Sequence, residues 1–210
     1  MHLSEQKNIA FLIMGLQKNS GGATYLSIAD GKIVRSHKEA KQGVTVSCVT
    51  KSGKTVHEEK FDSITGRIVG LKTHENDFGK QWHLSFTDGE ESYIVTMTYS
   101  SRYSTSFLKA LPNIDLSKDV KLMPWSMTDK NDASKKVTGI TMWQNDGNGF
   151  VKIAPAFTKD EPNGLPQMVQ VKVKGVMTWD DSDMMEFLES KAMALFATNP
   201  EPIDSDEAPF

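Results

Sequence analysis

The chain has 210 residues, of which 38% are hydrophobic and 24% are charged, and its formal net charge is −3. This composition is that of an ordinary soluble protein, and the length favours one domain with extensions over two domains. The single cysteine, Cys48, excludes an internal disulfide and indicates a reducing compartment, so we expect a cytoplasmic protein. An apolar run at residues 9–16 is too short to span a membrane. It is more typical of a first strand than of a signal peptide, since it lacks a basic start and a clear cleavage site.

The first sixty residues are predicted to add β-hairpins to the fold. Residues 24–28 and 32–35 have strand patterns and are joined by Asp30-Gly31, a dipeptide that favours a tight hairpin turn. Residues 44–50 and 54–57 repeat this arrangement. No proline-rich or low-complexity linker follows them, so the sequence indicates no domain boundary here.

Residues 61–143 contain a regular succession of predicted elements. Alternating polar and apolar residues indicate strands, and apolar residues three or four apart indicate a helix that Pro112 ends. The strands lie at residues 64–72, 81–87 and 92–99, the helix at 103–111, and two further strands at 120–125 and 137–143.

This order of elements is that of the OB-fold, a small barrel that binds single-stranded nucleic acid or sugars. We therefore predict a mainly β protein: a five-stranded OB-fold barrel with additional N-terminal hairpins, one short helix within the barrel topology and one C-terminal helix. Residues 127–136 are then the loop between the fourth and fifth barrel strands, which closes over bound oligonucleotide in this fold. The loop contains Lys130 and Lys135. A solvated loop without a binding role is the alternative.

The aromatic residues of the predicted barrel divide into core and stacking candidates. Trp82 shares a strand face with two other large apolar residues and is predicted to be core. Tyr99 and Tyr103 flank Arg102 at a strand end, which suits stacking on unpaired bases and contact with phosphates. The alternative is a helix cap, in which a neighbouring serine caps the helix and Tyr103 packs against the protein.

Beyond residue 150 the sequence predicts a hairpin, a helix and a tail. Residues 167–179 alternate as two strands, and apolar residues at helical spacing follow them. Acids at the start of this helix, such as Asp180 and Asp183, favour capping over metal binding. The predicted organisation is one domain at residues 1–179, a C-terminal helix at 180–197 and a disordered acidic tail at 198–210.

The charge is unevenly distributed along the chain. Residues 180–210 contain nine acids and one base, a local charge of −8, which leaves +5 on the other 179 residues. A mildly basic body with an acidic end is typical of a nucleic-acid binder with a partner-recruiting tail. A charge of +5 over 179 residues is also unremarkable in a protein of another class.

The last residues form an acidic run that ends on an aromatic ring. This pattern resembles the tail tip of bacterial single-stranded DNA-binding proteins, although Ala208 stands where that family usually has isoleucine. The resemblance implies that the terminal ring fills a pocket on a partner protein while nearby acids meet a basic rim. The matching residues are Asp204, Asp206, Glu207, Pro209 and Phe210.

Most of the chain also resembles a family of phage-encoded OB-fold DNA-binding proteins. The stretches that carry this resemblance are residues 61–66, 107–116, 164–168 and 179–181, and none of them is a base-reading motif. The resemblance implies a role in DNA replication or recombination, in which the protein coats transient single strands without sequence preference. The tail then recruits replication or recombination proteins.

The predicted function is sequence-independent binding of single-stranded DNA. The alternative is a virion or host-takeover protein whose β-barrel binds another protein. The sequence leaves the oligomeric state open. The candidate DNA-binding residues are Arg67, Lys72, Tyr99, Arg102, Tyr103, Trp125, Lys130, Lys135, Trp143 and Lys152.

No catalytic motif is present in the sequence. It lacks a phosphate-cradling glycine-rich loop, a zinc-deaminase motif and a serine nucleophile elbow. The five histidines, at positions 2, 37, 57, 74 and 83, have no metal-ligand spacing and are predicted to lie on the surface or on strands. We therefore expect a protein that is not an enzyme and that needs no cofactor or metal.

Overall fold

A computed structural model describes residues 22–50, 53–89 and 91–197 of the chain. The strand predicted at residues 9–16 and the tail predicted at residues 198–210 lie outside this part of the chain. The same is true of the candidate partner-binding residues, which are Asp204, Asp206, Glu207, Pro209 and Phe210.

The described part of the protein is mainly β, as the sequence predicts. Each strand predicted between residues 24 and 179 is present, and the short strand β10 is an addition that the alternation did not predict. The helices are α1 (Arg102–Ala110), which leads into a 3-10 turn at Leu111–Asn113, and α2 (Ser182–Ala197). The strands are β1 (Thr24–Ala29), β2 (Lys32–His37), β3 (Val46–Val49), β4 (Thr55–Phe61), β5 (Ile64–Asn76), β6 (Gly79–Thr87), β7 (Ser92–Thr98), β8 (Val120–Thr128), β9 (Lys136–Asn145), β10 (Phe150–Lys152), β11 (Val169–Val173) and β12 (Val176–Asp180).

Ten strands form one sheet in the order β10-β9-β8-β5-β6-β7-β1-β2-β4-β3, and β11 pairs with β12 in a separate hairpin. Neighbouring strands are antiparallel except for β1 and β7, which are parallel. Strands β5, β6 and β7 pair in sequence, and β5 also pairs with β8 beyond helix α1. No pairing among the described strands joins the two ends of the sheet, so the hydrogen-bonded ladder is not a closed barrel and the predicted five-stranded OB-fold barrel is not confirmed.

The edge of β9 that faces away from β8 contacts helix α1 and the short strand β10, and no further described strand closes a barrel there. The Ser106 hydroxyl on α1 accepts a hydrogen bond from the Ile140 amide of β9 at 2.8 Å. Further along β9, Trp143 pairs with Lys152 of β10. Because an unpaired strand edge needs hydrogen-bond partners, the helix and β10 each supply partners along part of this edge.

The turn between β1 and β2 packs directly against β8. Asp30 and Gly31 have φ angles of +48° and +76°, the left-handed region that the predicted tight turn requires. A Cβ atom at Gly31 would lie 2.5 Å from the backbone nitrogen of Ser126, so glycine permits this close approach. The contact brings the β1–β2 hairpin against β8 without a hydrogen-bonded ladder.

The core lies between the sheet and the two helices. Trp82 and Phe86 of β6, Phe107 of α1 and Leu188 of α2 are all at most 1% exposed. Burying a side chain of this size stabilises the fold by about 1.5–3 kcal/mol. The prediction that Trp82 belongs to the core is therefore confirmed.

Candidate nucleic-acid interface

Seven neighbouring strands of the sheet, in the order β10-β9-β8-β5-β6-β7-β1, present one side to solvent. On β6, for example, Trp82 and Leu84 point into the core, and Gln81 and Ser85 alternate with them on the opposite side. We call the side of these seven strands that points away from the core the outer face. It positions five of the ten candidate DNA-binding residues, namely Arg67, Lys72, Trp125, Trp143 and Lys152.

A row of four side chains crosses the outer face from β5 to β10. The strand registers place Thr65 beside Lys121, Lys121 beside Trp143, and Trp143 beside Lys152. Adjacent strands lie about 4.8 Å apart, so the half-buried indole of Trp143 stands between two lysine side chains. An aromatic ring between two cations is suited to stack on a base while the flanking phosphates are neutralised.

Trp125 lies on the outer face of β8 opposite Gly139 of β9. Its indole covers the glycine so closely that a Cβ atom at position 139 would lie 2.6 Å from Cζ2 of the ring. A larger residue would lift the indole off the strand. Gly139 thus allows Trp125 to pack against the sheet while part of the ring stays exposed.

A β-bulge brings Arg67 and Lys72 onto the same side of β5. Arg67 pairs with Thr87 and Lys72 with His83, but the register shifts between Ile68 and Gly70. In a regular strand, two residues five positions apart would point to opposite faces. The extra residue in β5 therefore places both cations on the outer face.

The charge of the outer face is entirely positive. Among the described residues, no outward position of the seven strands carries aspartate or glutamate. The same positions carry four cations, and none of these forms an ion pair with a described carboxylate. Unpaired cations are available for phosphate groups. The four are Arg67, Lys72, Lys121 and Lys152.

Two residues of this face were missed by the sequence analysis. Lys121 alternates with the buried Val120 and Leu122, so the two-residue period of β8 could have identified it as outward-facing. Tyr25 is 57% exposed on β1, and its ring contacts the imidazole of His83 edge-on, with ring centroids 6.1 Å apart. The parallel pairing of β1 with β7 creates this contact, and no local sequence pattern predicts that pairing.

Tyr99 does not lie on the outer face. Its ring stacks on Trp82 with centroids 5.4 Å apart, and the Lys80 ammonium lies 4.2 Å from its centroid. The Tyr99 hydroxyl donates a hydrogen bond to Glu189 of α2 at 2.5 Å. Burial, that hydrogen bond and the nearby carboxylates raise the pKa of the phenol. The ring is thus engaged within the protein, which argues against its predicted role in base stacking.

Arg102 and Tyr103 belong to the start of helix α1, as the alternative interpretation of this segment predicted. The Ser101 side chain caps the helix by accepting a hydrogen bond from the Ser104 amide at 3.1 Å. The Tyr103 hydroxyl accepts a hydrogen bond from the Gly31 amide at 2.9 Å, and Arg102 donates one to the Lys136 carbonyl at 3.3 Å. Both side chains therefore fix the β1–β2 turn and the start of β9 to α1.

Lys130 and Lys135 lie in the loop between β8 and β9, and both are exposed. Lys135 forms an ion pair with Asp132 at 2.8 Å, and this contact lowers the pKa of the Asp132 carboxyl. The loop is therefore less basic than its lysines alone suggest. The structure does not bring either lysine into the row that contains Trp143.

Asp180, just before α2, supports the predicted capping role. The Asp180 carboxylate accepts hydrogen bonds from the backbone amide of Ser182 at 3.0 Å and from its hydroxyl at 2.6 Å. These bonds lower the pKa of Asp180. In the described ranges, no group of three or more histidine, cysteine, aspartate or glutamate residues is arranged to hold a metal ion.

None of the described helices is long and apolar enough to cross a membrane. No protein-family model, curated protein or solved structure matches the chain.

Proposed function

We propose that this protein binds single-stranded DNA without sequence preference along its outer face. The observation that carries the proposal is a sheet surface with four cations outside any ion pair to a described carboxylate, a tryptophan between two of them, and no acid at the outward positions of its seven described strands. Phosphates of the strand contact Arg67, Lys72, Lys121 and Lys152, and a base stacks on Trp143. These contacts require no particular base, because every base has a π-face and every nucleotide a phosphate.

An OB-related architecture is part of this proposal. Helix α1 separates β7 from β8, and β8 returns to pair with β5, which is a Greek-key connection of the kind found in the OB-fold. In that fold, the second and third strands form much of the surface that contacts oligonucleotides. The corresponding strands here are β6 and β7, whose outward side chains belong to the outer face.

The biological role that we propose is phage DNA replication or recombination, with partner proteins recruited by the C-terminal tail. Its support is the sequence resemblance, in particular the acidic run that ends in Pro209 and Phe210. The charge separation between the outer face and the tail agrees with this role, because acids near a cationic surface compete with DNA for it.

Oligo-dT titration tests the proposal, with tryptophan fluorescence as the readout. Binding should quench the fluorescence, and the affinity should fall as salt rises. Replacing Trp143→Ala, which removes the ring, should weaken binding about 5- to 100-fold, the range expected for loss of stacking on one base. The matched control is Trp179→Ala, since Trp179 lies on the separate β11–β12 hairpin.

Two results would count against the proposal. Equal losses of affinity in the Trp143→Ala and Trp179→Ala variants would exclude the outer face as the binding surface. Failure of the native protein to bind oligo-dT at low salt would contradict the proposed DNA binding itself.

A protein-binding role is the second candidate, and the β11–β12 hairpin favours it. Val173 is 51% exposed, Val176 is 64% exposed and Trp179 is 62% exposed, although isolated two-stranded hairpins are marginal in water. This candidate predicts no quenching by oligo-dT. It also predicts that replacing the exposed apolar residues of the hairpin by polar ones abolishes binding to a partner protein. Substitutions on the outer face should leave that binding intact.

A further inference from the structure

A histidine pair lies on the part of the outer face that the candidate DNA-binding residues leave almost empty. The imidazole of His83 on β6 stacks on that of His74 on β5, with ring centroids 4.9 Å apart and planes inclined by 30°. Lys72 pairs with His83 across the strands and shares the face with His74. Tyr25 of β1 contacts the other side of this group through its edge-on approach to His83.

The four side chains differ in their access to solvent. His83 is 8% exposed, whereas His74, Lys72 and Tyr25 are exposed. A ligand on this surface would therefore touch the ring of Tyr25, the ring of His74 and the ammonium of Lys72. The buried His83 would lie beneath them, stacked on the ring of His74.

No described acid occupies an outward position beside the histidine pair. On β5 the outward titratable groups are Lys72 and His74, whereas Glu75 pairs with Lys80 and alternates to the opposite side. On β1 the neighbour is Tyr25, and the outward residues of β7 do not titrate. Burial is the main cause that lowers the pKa of His83, and the charges of His74 and Lys72 lower it further. Without an anion, protonation of His83 is thus disfavoured.

We propose that Tyr25, Lys72, His74 and His83 form a nucleotide-binding subsite in which the phosphodiester of a single strand is bound together with a proton. Tyr25 stacks on the base, and Lys72 with the protonated His74 holds the phosphate. The subsite rests on the proposed function, because it adds residues and a proton linkage to DNA binding on the same face. It also explains why a cationic, acid-free surface contains two adjacent imidazoles.

The sign of the pH dependence follows from the linkage. A bound phosphate favours the charged imidazole and raises the histidine pKa, so binding takes up a proton when the free protein is deprotonated. The affinity for DNA therefore increases as the pH falls towards 6. Because one unit of pKa difference corresponds to a tenfold change, we expect binding about three- to tenfold tighter at pH 6 than at pH 8.

The test compares the affinity of the full chain for oligo-dT at pH 6 and pH 8 at constant ionic strength. Substituting His74→Gln, on an exposed side chain, should remove most of the pH dependence, so that the affinity of the variant for oligo-dT is nearly the same at pH 6 and pH 8. The control His57→Gln should keep the full dependence, since His57 contacts Ser47 in the β3–β4 hairpin. NMR titration of the imidazoles should show a higher pKa for His74 with oligo-dT than without it.

Each result of this test is decisive. Binding that is independent of pH, or a pH dependence that survives His74→Gln, overturns the subsite and leaves the proposed function intact. A pKa increase produced equally by inorganic phosphate overturns the requirement for a nucleotide strand. Absence of oligo-dT binding at both pH values overturns the subsite and the proposed function together.

Discussion

The indole of Trp125 lies directly on Gly139, and a methyl group at that position would come within 2.6 Å of the ring. The two residues face each other on β8 and β9, so the close contact is a cross-strand pair in which one partner has no side chain. Glycine usually weakens a strand, and here it makes room for a large ring on the outer face.

The first prediction concerns this pair. Substituting Gly139→Ala should displace the Trp125 indole and destabilise the protein by about 1–3 kcal/mol, the usual cost of overpacking. Urea unfolding measures the free energy, and the fluorescence maximum of the folded state should shift as the indole moves. Gly22→Ala is the control, because a Cβ atom at Gly22 would meet nothing within 4 Å. Equal stability of the two variants would contradict the packing described for Trp125.

The second prediction concerns the number of phosphate contacts. Replacing Lys121→Gln and Lys152→Gln, one at a time, should each reduce the slope of log affinity against log salt by about 0.7, the contribution of one phosphate on a single strand. The control is Lys118→Gln, because Lys118 lies outside the seven strands and pairs with Asp115 at 3.4 Å. Titrations of oligo-dT at four salt concentrations measure the slope. An unchanged slope in both outer-face variants would contradict phosphate binding by this row.

Local sequence patterns predicted most strands because alternation depends on neighbours in the chain. Residues 81–87 alternate so regularly that β6 and the burial of Trp82 could both be predicted. The outward side of β5 could not be predicted in the same way. The bulge between Ile68 and Gly70 reverses the alternation, and without it Arg67 and Lys72 would be assigned to opposite faces.

Other features depend on contacts between distant parts of the chain. Tyr99 has the sequence context of a stacking residue, but Glu189, ninety positions later, binds its hydroxyl. The parallel pairing of β1 with β7 brings Tyr25 to His83 and likewise has no local signature. Patterns along the sequence therefore predicted the elements, whereas the grouping of side chains into a site required the tertiary structure.

The third prediction concerns the edge of β9. Substituting Ser106→Ala removes the acceptor of the Ile140 amide and should destabilise the protein by about 1–2 kcal/mol, because a half-buried donor loses its partner. Hydrogen exchange of the Ile140 amide should become faster. Ser190→Ala, on the exposed side of α2, is the matched helix-serine control. Unchanged exchange at Ile140 would show that α1 does not protect this edge.

The fourth prediction concerns the acidic tail. Deleting residues 208–210 should leave the affinity for oligo-dT unchanged or increase it, because the tail is proposed to contact partners and to compete with DNA. The deletion should abolish capture of replication or recombination proteins from an extract of the host. Fluorescence titration and pull-down measure the two effects separately. A large loss of DNA affinity would contradict the assignment of the tail to partner binding.

The fifth prediction concerns the attachment of α2 to the sheet. The Glu189 carboxylate accepts a hydrogen bond from the Tyr99 hydroxyl and pairs with the Lys80 ammonium at 2.7 Å. Burial raises the pKa of Glu189, but Lys80 and Tyr99 together lower it below its ordinary value near 4.5. The unfolded chain therefore takes up the proton first as the pH falls. The stabilisation should be complete above about pH 4.5 and should be lost as the pH falls further.

Substituting Glu189→Gln should therefore lower the unfolding free energy at pH 7 by about 1–2 kcal/mol, a range reduced by the partial exposure of Lys80. At pH 3 the variant and the native protein should differ less than at pH 7, since the stabilisation by the ionised Glu189 is lost as the pH falls below about 4.5. Glu186→Gln is the control on the exposed side of the same helix. Urea unfolding at both pH values measures the difference. If Glu186→Gln and Glu189→Gln lost equal stability at pH 7, the loss would come from the helix as a whole and not from the contact with Lys80 and Tyr99.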